Sequence, residues 1–380
     1  MDLFLPDPFA SPVGLAALFD RPPPRAETVA CTLLGHGLVR DQSGLAPMPV
    51  AQEGGRVPGL LIPDCEPGPS GALNRVMAVF GASEVSVSVE TEAGPRAAVA
   101  FLLGEDEALS PPVDLAEWGE EQQVLFDEIL REVARYYGAL PAERLRVLLP
   151  GIRIRAIGRV GGARTRTPQA LRPQSAPALR VEPVSCTTEY AKYFAVEEHQ
   201  YRHSRFDGSL SDPVERSVLV SGDAVTLLPF DPVRQEVLLV EQVRPAAIAR
   251  RDPNPWLIEP IAGRCDEFER PEDTARREAL EEAGLTIGRL TLISGYYSSP
   301  GITTEHLTSF VGEADLSAAG GTHGLQEEGE DIRSLILGLD AALAAIGTGE
   351  INVGPLILSL FWLQANRERL TREWSAESAA

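Results

Sequence analysis

The chain has 380 residues, a length that points to two domains. Its 44% apolar and 23% charged residues are those of an ordinary packed protein and exclude wholesale disorder, a collagen-like chain and a disulfide scaffold. A formal net charge of −21 argues against nucleic acid or an anionic membrane as the main partner, because phosphate-rich surfaces are met by clustered positive charge.

The N-terminus, Met-Asp-Leu-Phe-Leu-Pro-Asp-Pro, has no basic n-region and no long apolar run. The densest apolar stretch, Pro355 to Leu363, is too short to cross a bilayer, so a cytoplasmic protein without a membrane partner is expected. Short β-like runs follow at Val29–Leu34, Val57–Ile62, the alternating Val85–Val89 and Ala97–Leu103, separated by Gly/Pro-rich turns. Leu125, Ile129, Val133 and Tyr137 then recur at i, i+4 spacing, which predicts a helix closed by Gly138. The first half therefore reads as α+β.

Between Arg153 and Arg180 lie seven arginines, three prolines and no acidic residue. This is the sharpest composition shift in the chain and reads as a linker, for which a solvated tether that docks on an acidic neighbour is favoured over a phosphate-binding segment. The expected organisation is an N-terminal extension (1–27), a first domain (28–160), a linker (161–180) and a second domain (181–375). In the second half, Ala224–Phe230 and Val237–Val243 flank Asp231-Pro232-Val233-Arg234, a hairpin signal. A helix follows over roughly 272–283, then strand-like sequence at Leu290–Ile293 and Leu307–Val311, and a terminal helix from about Pro355 to Glu373.

The four cysteines, Cys31, Cys65, Cys186 and Cys265, form no C-x-x-C pair, so neither a zinc site nor a redox motif is expected. The five histidines, His36, His199, His203, His306 and His323, show no ligand spacing on a common face and read as hydrogen-bonding residues. Tyr190, Tyr193 and Phe194 have rings able to stack on adenine, but aromatic residues at this spacing are more often core.

The chemistry concentrates in Gly263-Arg-Cys-Asp-Glu-Phe-Glu269 and Arg277-Glu278-Ala279-Leu280-Glu281-Glu282-Ala283-Gly284-Leu285. Pro271 at the helix start, Glu272 and Asp273 in its first turn and Gly284 at its end delimit a helix. At about 100° per residue, Glu278, Glu281 and Glu282 share one face, with Ala279, Leu280 and Ala283 on the other. Like charges at this spacing repel, so a solvated acidic face is the bland reading and a bound cation the chemical one. Carboxylate oxygens suit Mg²⁺, with Mn²⁺ as an alternative.

The segment resembles the Nudix box, G-x5-E-x7-R-E-U-x-E-E-x-G-U, with Gly263, Glu269, Arg277, Glu278, Glu281, Glu282, Gly284 and Leu285 in register and Ala279 where a bulkier aliphatic is usual. Ser299-Pro300-Gly301-Ile302-Thr303-Thr304-Glu305, 16 residues beyond Gly284 at Pro300, resembles an element of the family's ADP-ribose pyrophosphatase branch. The resemblance extends through Arg205–Ser211, Leu227–Arg234, Glu241–Arg244, Pro255–Glu259 and His323–Asp331, covering about residues 180–372. It implies an α/β/α sandwich with a mixed sheet, and hydrolysis of ADP-ribose, or a related nucleoside diphosphate sugar, to AMP and a phosphosugar.

The same resemblance implies roles residue by residue. Glu278 and Glu282 would be the principal metal carboxylates, the backbone carbonyl of Ala262 a further ligand and Glu281 a supporting catalytic acid. Glu328 would be the catalytic base on a later loop, with Glu327 as fallback. Arg277 would orient Glu269. Arg244 would contact the diphosphate, Arg216 would cross a homodimer to stack on the partner's adenine, and Pro300 and Glu305 would lie on the substrate side.

Residues 28–160 resemble the γ-glutamylcyclotransferase-like (AIG2-like) fold, a small barrel with helices, through Thr32-Leu33-Leu34, Val57-Pro58-Gly59-Leu60, the Phe80-Gly81 turn and Val85–Glu90. The pairing of domains resembles Nudix proteins associated with tellurite resistance. The substrate loop of that fold reads Ala30-Cys31-Thr32-Leu33 here, and its expected glutamate is Met77, a thioether that cannot act as a base. The first domain is therefore expected to be non-catalytic, with Glu84 the nearest replacement acid. A bifunctional protein with cyclotransferase activity and a non-catalytic ADP-ribose sensor are the rival functions.

Overall fold

A computed structural model describes residues 2–19, 27–65, 71–104, 112–136, 140–168, 170–171, 179–325 and 329–376. The chain divides into two compact units, Met1–Val220 and Ser221–Ala380. No helix among the described residues is long and apolar enough to cross a membrane.

In the first unit, β1 (Leu3–Pro6), β2 (Val29–Arg40), β3 (Pro47–Ile62), β4 (Ser83–Thr91) and β5 (Gly94–Leu102) close a barrel in the order β1-β3-β2-β4-β5. Each of the four β-like runs read from sequence falls on one of β2 to β5. Alternation along these strands splits their apolar residues between two clusters. Phe4, Cys31, Leu33, Val57, Val89, Ala98 and Ala100 form one. The other lies under the helices α1 (Pro12–Leu18), α2 (Ala72–Val79), α3 (Glu120–Arg135) and α4 (Ala142–Arg164), where Phe9, Phe80 and Phe126 pack at ring-centroid distances of 4.9–6.4 Å. Met77 is buried in this second cluster, and Glu84 is exposed on β4.

Two expectations about organisation are corrected. The start of the expected extension (1–27) belongs to the barrel instead, since Leu3, Phe4 and Leu5 are at most 1% exposed and β1 completes the barrel. The arginine-rich segment is not a tether over its first part, because α4 runs to Arg164 with Pro150 inside it. The acids that neutralise its arginines come from other elements. Arg155, with none of its surface exposed, is ion-paired with Glu132 of α3, and Arg159 bonds both Glu132 and Glu197. Arg135 donates to Glu197 at 2.8 Å.

Glu197 belongs to a three-stranded antiparallel sheet of β6 (Val181–Ala191), β7 (Ala195–His203) and β8 (Val214–Val220). These strands group with the first unit, so the boundary between compact units falls at Val220 and not in the expected linker at 161–180. Removing one member of a buried ion pair leaves an uncompensated charge and costs about 3–5 kcal/mol. Glu132→Ala is therefore expected to lower the melting temperature sharply, and a thermal melt that matched the parent protein would contradict this account of Arg155.

The second unit carries an eight-stranded mixed sheet. Its strands are β9 (Ala224–Asp231), β10 (Glu236–Val243), β11 (Trp256–Glu259), β12 (Ile261–Arg264), β13 (Leu290–Tyr297), β14 (His306–Glu313), β15 (Gly321–His323) and β16 (Ile332–Gly338). The order is β13-β14-β9-β10-β16-β15, with β11 added to β10, β12 added to β9, and β14 parallel to β9. Asp231 closes the β9–β10 hairpin by accepting the N–H groups of Val233 and Arg234, each at 2.9 Å.

Odd and even residues of the central strands serve opposite faces. Val225, Leu227, Leu238 and Val240 pack with Ala275, Ala279 and Ala283 of α6 (Pro271–Ala283). Leu228, Phe230, Val237 and Leu239 pack with α7 (Leu339–Thr348) and α8 (Gly354–Ala376), which follow α5 (Pro245–Arg250) and α6 in the chain. The result is the α/β/α sandwich that was expected. After the hairpin, β9 and β10 diverge, and β12 takes up β9 with Ala262 opposite Thr226 and Gly263 opposite Val225. That fork brings the backbone of β12 alongside α6.

Candidate active site

Helix α6 has the limits its sequence signals. Pro271 occupies the first turn beside Glu272 and Asp273, where negative charge meets the positive end of the helix dipole. Gly284 ends it at φ +63°, a left-handed conformation that glycine adopts without strain. The N–H of Gly284 donates to the carbonyl of Leu280 and that of Leu285 to Ala279, both at 3.0 Å. Ala275, Ala279 and Ala283 face the sheet, and this fixes the rotation of the acidic face.

Glu278 and Glu282 are buried on that face, with 9% and 3% of their surface exposed. Burial pushes the Glu278 carboxyl up to about 7, with Arg277 opposing, and the Glu282 carboxyl up to about 8, opposed by a hydrogen bond from the Ala262 N–H. That N–H donates to Glu282 Oε2 at 3.1 Å. Glu278 leans against β12 at Gly263, where a Cβ would fall 1.9 Å from the Glu278 carboxyl carbon. The box glycine is thus required by close approach, not by backbone conformation. Gly263→Ala is expected to displace Glu278 and abolish most divalent-cation binding while leaving the circular dichroism spectrum unchanged, and calorimetric cation binding at parental affinity would refute it.

Arg277 ties the acids together. Its guanidinium donates to Glu269 through Nε and Nη2, each at 3.1 Å, to Glu278 at 2.7 Å, to Glu281 at 2.9 Å and to the carbonyl of Arg264 at 3.0 Å. Burial alone would raise Glu269, but bonds from Arg277 and from the Thr274 hydroxyl hold its carboxyl below the usual range. Glu269 is therefore a permanent anchor for the arginine, and the arginine spaces Glu278 from Glu281.

Arg244 follows β10 and donates its Nε to Glu259 of β11 at 2.6 Å. Its positive charge also opposes the rise of Glu282. Pro300 is exposed on the turn between β13 and β14, and Glu305 on the same turn accepts the Ser298 hydroxyl at 2.8 Å. Arg216 is exposed on β8 of the first unit and donates to the carbonyl of Glu215 at 2.6 Å. Tyr190 and Tyr193, read as core, are 45% and 67% exposed. Glu328 and its fallback Glu327 lie outside the described residues. On either side of them, the Gly324 N–H meets the carbonyl of Glu281 at 3.4 Å, and the charge of Glu330 raises both Glu278 and Glu282.

A family model described as NUDIX domain matches residues 220–350, which begins where the second compact unit begins. The ADP-ribose pyrophosphatase of Escherichia coli K12 is 41% identical over 195 residues, 51% of this chain and 93% of that protein. The chain belongs to the Nudix family. The ADP-ribose pyrophosphatase of Haemophilus influenzae is 38% identical over 189 residues, 49% of this chain and 87% of its own length. The GDP-mannose pyrophosphatase of Citrobacter koseri is 35% identical over 175 residues, 46% and 90% of the two chains.

Within the Nudix segment, sequence reasoning missed two acids. Glu259 was visible only as the last residue of Pro255–Glu259, and its role as the partner of Arg244 needed the pairing of β11 with β10. Glu330 was passed over for Glu328, although its effect on both buried carboxylates marks it as part of the acidic cluster. Two buried carboxylates, one held by Arg277 and the other by the Ala262 N–H, with only oxygen donors, fit a hard divalent cation, Mg²⁺ or Mn²⁺.

Proposed function

We propose that the protein is an ADP-ribose diphosphatase that yields AMP and ribose 5-phosphate with Mg²⁺. The observation that carries this reading is the pair of buried carboxylates, Glu278 and Glu282, on one face of α6, both pushed up by burial. A divalent cation held by these two, with the Ala262 carbonyl and with Mn²⁺ as the alternative metal, would supply positive charge to the diphosphate and acidify the attacking water. Glu281, spaced by Arg277, assists on the rim of the same face. Glu328 takes the proton from the water, since a base needs a lone pair that is not committed to a cation. Arg244, with its Nε spent on Glu259, offers its remaining donors to the diphosphate. Pro300, Glu305 and Arg216 serve the sugar and adenine sides, the last across a homodimer.

The test is turnover of a panel with Mg²⁺, namely ADP-ribose, ADP-glucose, GDP-mannose, NADH and diadenosine phosphates, read as AMP or GMP and phosphosugar release. ADP-ribose is expected to lead by kcat/KM. GDP-mannose leading would transfer the assignment to the other kind of relative, and inactivity across the panel would leave an ADP-ribose sensor. Residues 28–160 of the first unit are read as a non-catalytic γ-glutamylcyclotransferase-like domain, supported by Met77 lying in the core where that chemistry needs an acid. Release of 5-oxoproline from a γ-glutamyl peptide by the whole protein would refute this.

A further inference from the structure

The first unit brings together a thiol, an imidazole and a carboxylate that linear spacing kept apart. Cys186 on β6 stands directly opposite His199 on β7, and Glu197 lies two residues back along β7, on the same face as His199. Cys186 Sγ is 3.6 Å from Glu197 Oε2 and 3.8 Å from His199 Nε2, and those two atoms are 2.9 Å apart. We propose that Cys186, Glu197 and His199 form a binding site for a borderline-soft transition metal of the Zn²⁺ class, with three protein ligands and an open fourth position.

Three features of the geometry favour coordination. A tetrahedral ion about 2.3 Å from sulfur and about 2.0–2.1 Å from nitrogen and oxygen separates its donors by roughly 3.4–3.6 Å. The three donor atoms already lie within 4.8 Å of one another, so an ion requires only that the Glu197–His199 hydrogen bond open by about half an ångström. The same imidazole nitrogen, Nε2, faces both the sulfur and the carboxylate. A thiol–imidazole–carboxylate relay would use the two ring nitrogens separately, so the arrangement converges on a point and does not form a proton line.

The carboxylate is also held for the task. Glu197 is 2% exposed, and its other oxygen, Oε1, accepts from Arg135 and Arg159, which leaves Oε2 turned to the thiol and imidazole. Ligating carboxylates are commonly fixed this way by donors behind them. Arg159 is also paired with Glu132 and, at 3.8 Å, with Glu128, so part of its charge is drawn away from the site. Arg216, opposite His199 on β8, directs its donor to the carbonyl of Glu215. Thiolate and imidazole donors separate this site from the all-oxygen acids of α6, which favour Mg²⁺. Binding transfers the Cys186 thiol proton to solvent, so affinity should rise with pH.

The test uses the reduced, untagged full-length protein in excess Mg²⁺, titrated with Co²⁺ and then with Zn²⁺. A near-ultraviolet thiolate-to-Co²⁺ charge-transfer band at one equivalent is expected, displaced by Zn²⁺. Cys186→Ser should remove the band and Cys65→Ser and Cys265→Ser should keep it. His199→Ala should weaken Co²⁺ binding by more than about 100-fold, because loss of a partner that merely orients a ligand already costs about 10–100-fold. Absence of the band in the parent protein, its survival in Cys186→Ser, or unchanged affinity in His199→Ala would each overturn the proposal, with far-ultraviolet circular dichroism verifying that each variant is folded.

Discussion

Glu282→Gln is expected to abolish most turnover while raising the melting temperature of the metal-free protein at pH 8. Both effects have one cause. Glu282 is 3% exposed, and burial pushes its carboxyl up to about 8, with Glu278 following at about 7. Each tenfold change in acidity corresponds to about 1.4 kcal/mol, so the ionised pair is a large burden on the metal-free fold. The folded state holds protons that the unfolded state has already released above its ordinary carboxyl range, so stability should fall as pH rises from about 5 to about 8. Saturating Mg²⁺ should flatten that slope, because the cation replaces the proton as counter-charge. Glutamine is isosteric and neutral, so it removes the burden together with the ligand. A melting temperature for the metal-free protein that does not change between pH 5 and pH 8 would contradict this reading.

Glu328→Gln should lower kcat by about 10²–10⁴-fold, the usual contribution of a general base, with cation affinity nearly kept. Glu330→Gln is expected to behave in the opposite sense, weakening cation binding because the Glu330 charge acts on both buried acids. Calorimetric Mg²⁺ titrations beside steady-state kinetics separate the two. Equal loss of cation binding in Glu328→Gln and Glu282→Gln would remove Glu328 as the base.

The parts of this molecule that sequence disclosed are those in which partners lie within a few turns of one helix. Glu278, Glu281 and Glu282 share a face by helical spacing alone, and Gly284 ends α6 as its position implied. Arg277 and Glu269 meet because the box compresses their separation into a short loop and about two helical turns. What sequence concealed depends on pairing between distant segments. The arginine-rich segment read as a tether because the acids that pair its arginines, Glu132 and Glu197, lie on other elements, and α4 itself runs through Pro150. Cys186 and His199 were read as unrelated because the register that pairs them runs past irregularities between Pro183 and Ser185 and between Thr188 and Tyr190. No periodicity in the linear chain encodes such a shift.

The ion pairs from Arg135 and Arg159 to Glu197 also bear on how the chain would respond to a protease. A cut after an arginine between residues 164 and 180 breaks the covalent path from α4 to β6, yet the charges that hold β7 remain on the other side of the cut. The two fragments are therefore expected to stay together at moderate salt and to migrate as one species until denatured. A gene fragment starting at residue 181 would lack Arg135 and Arg159 and would have to satisfy the Glu197 carboxylate by other means.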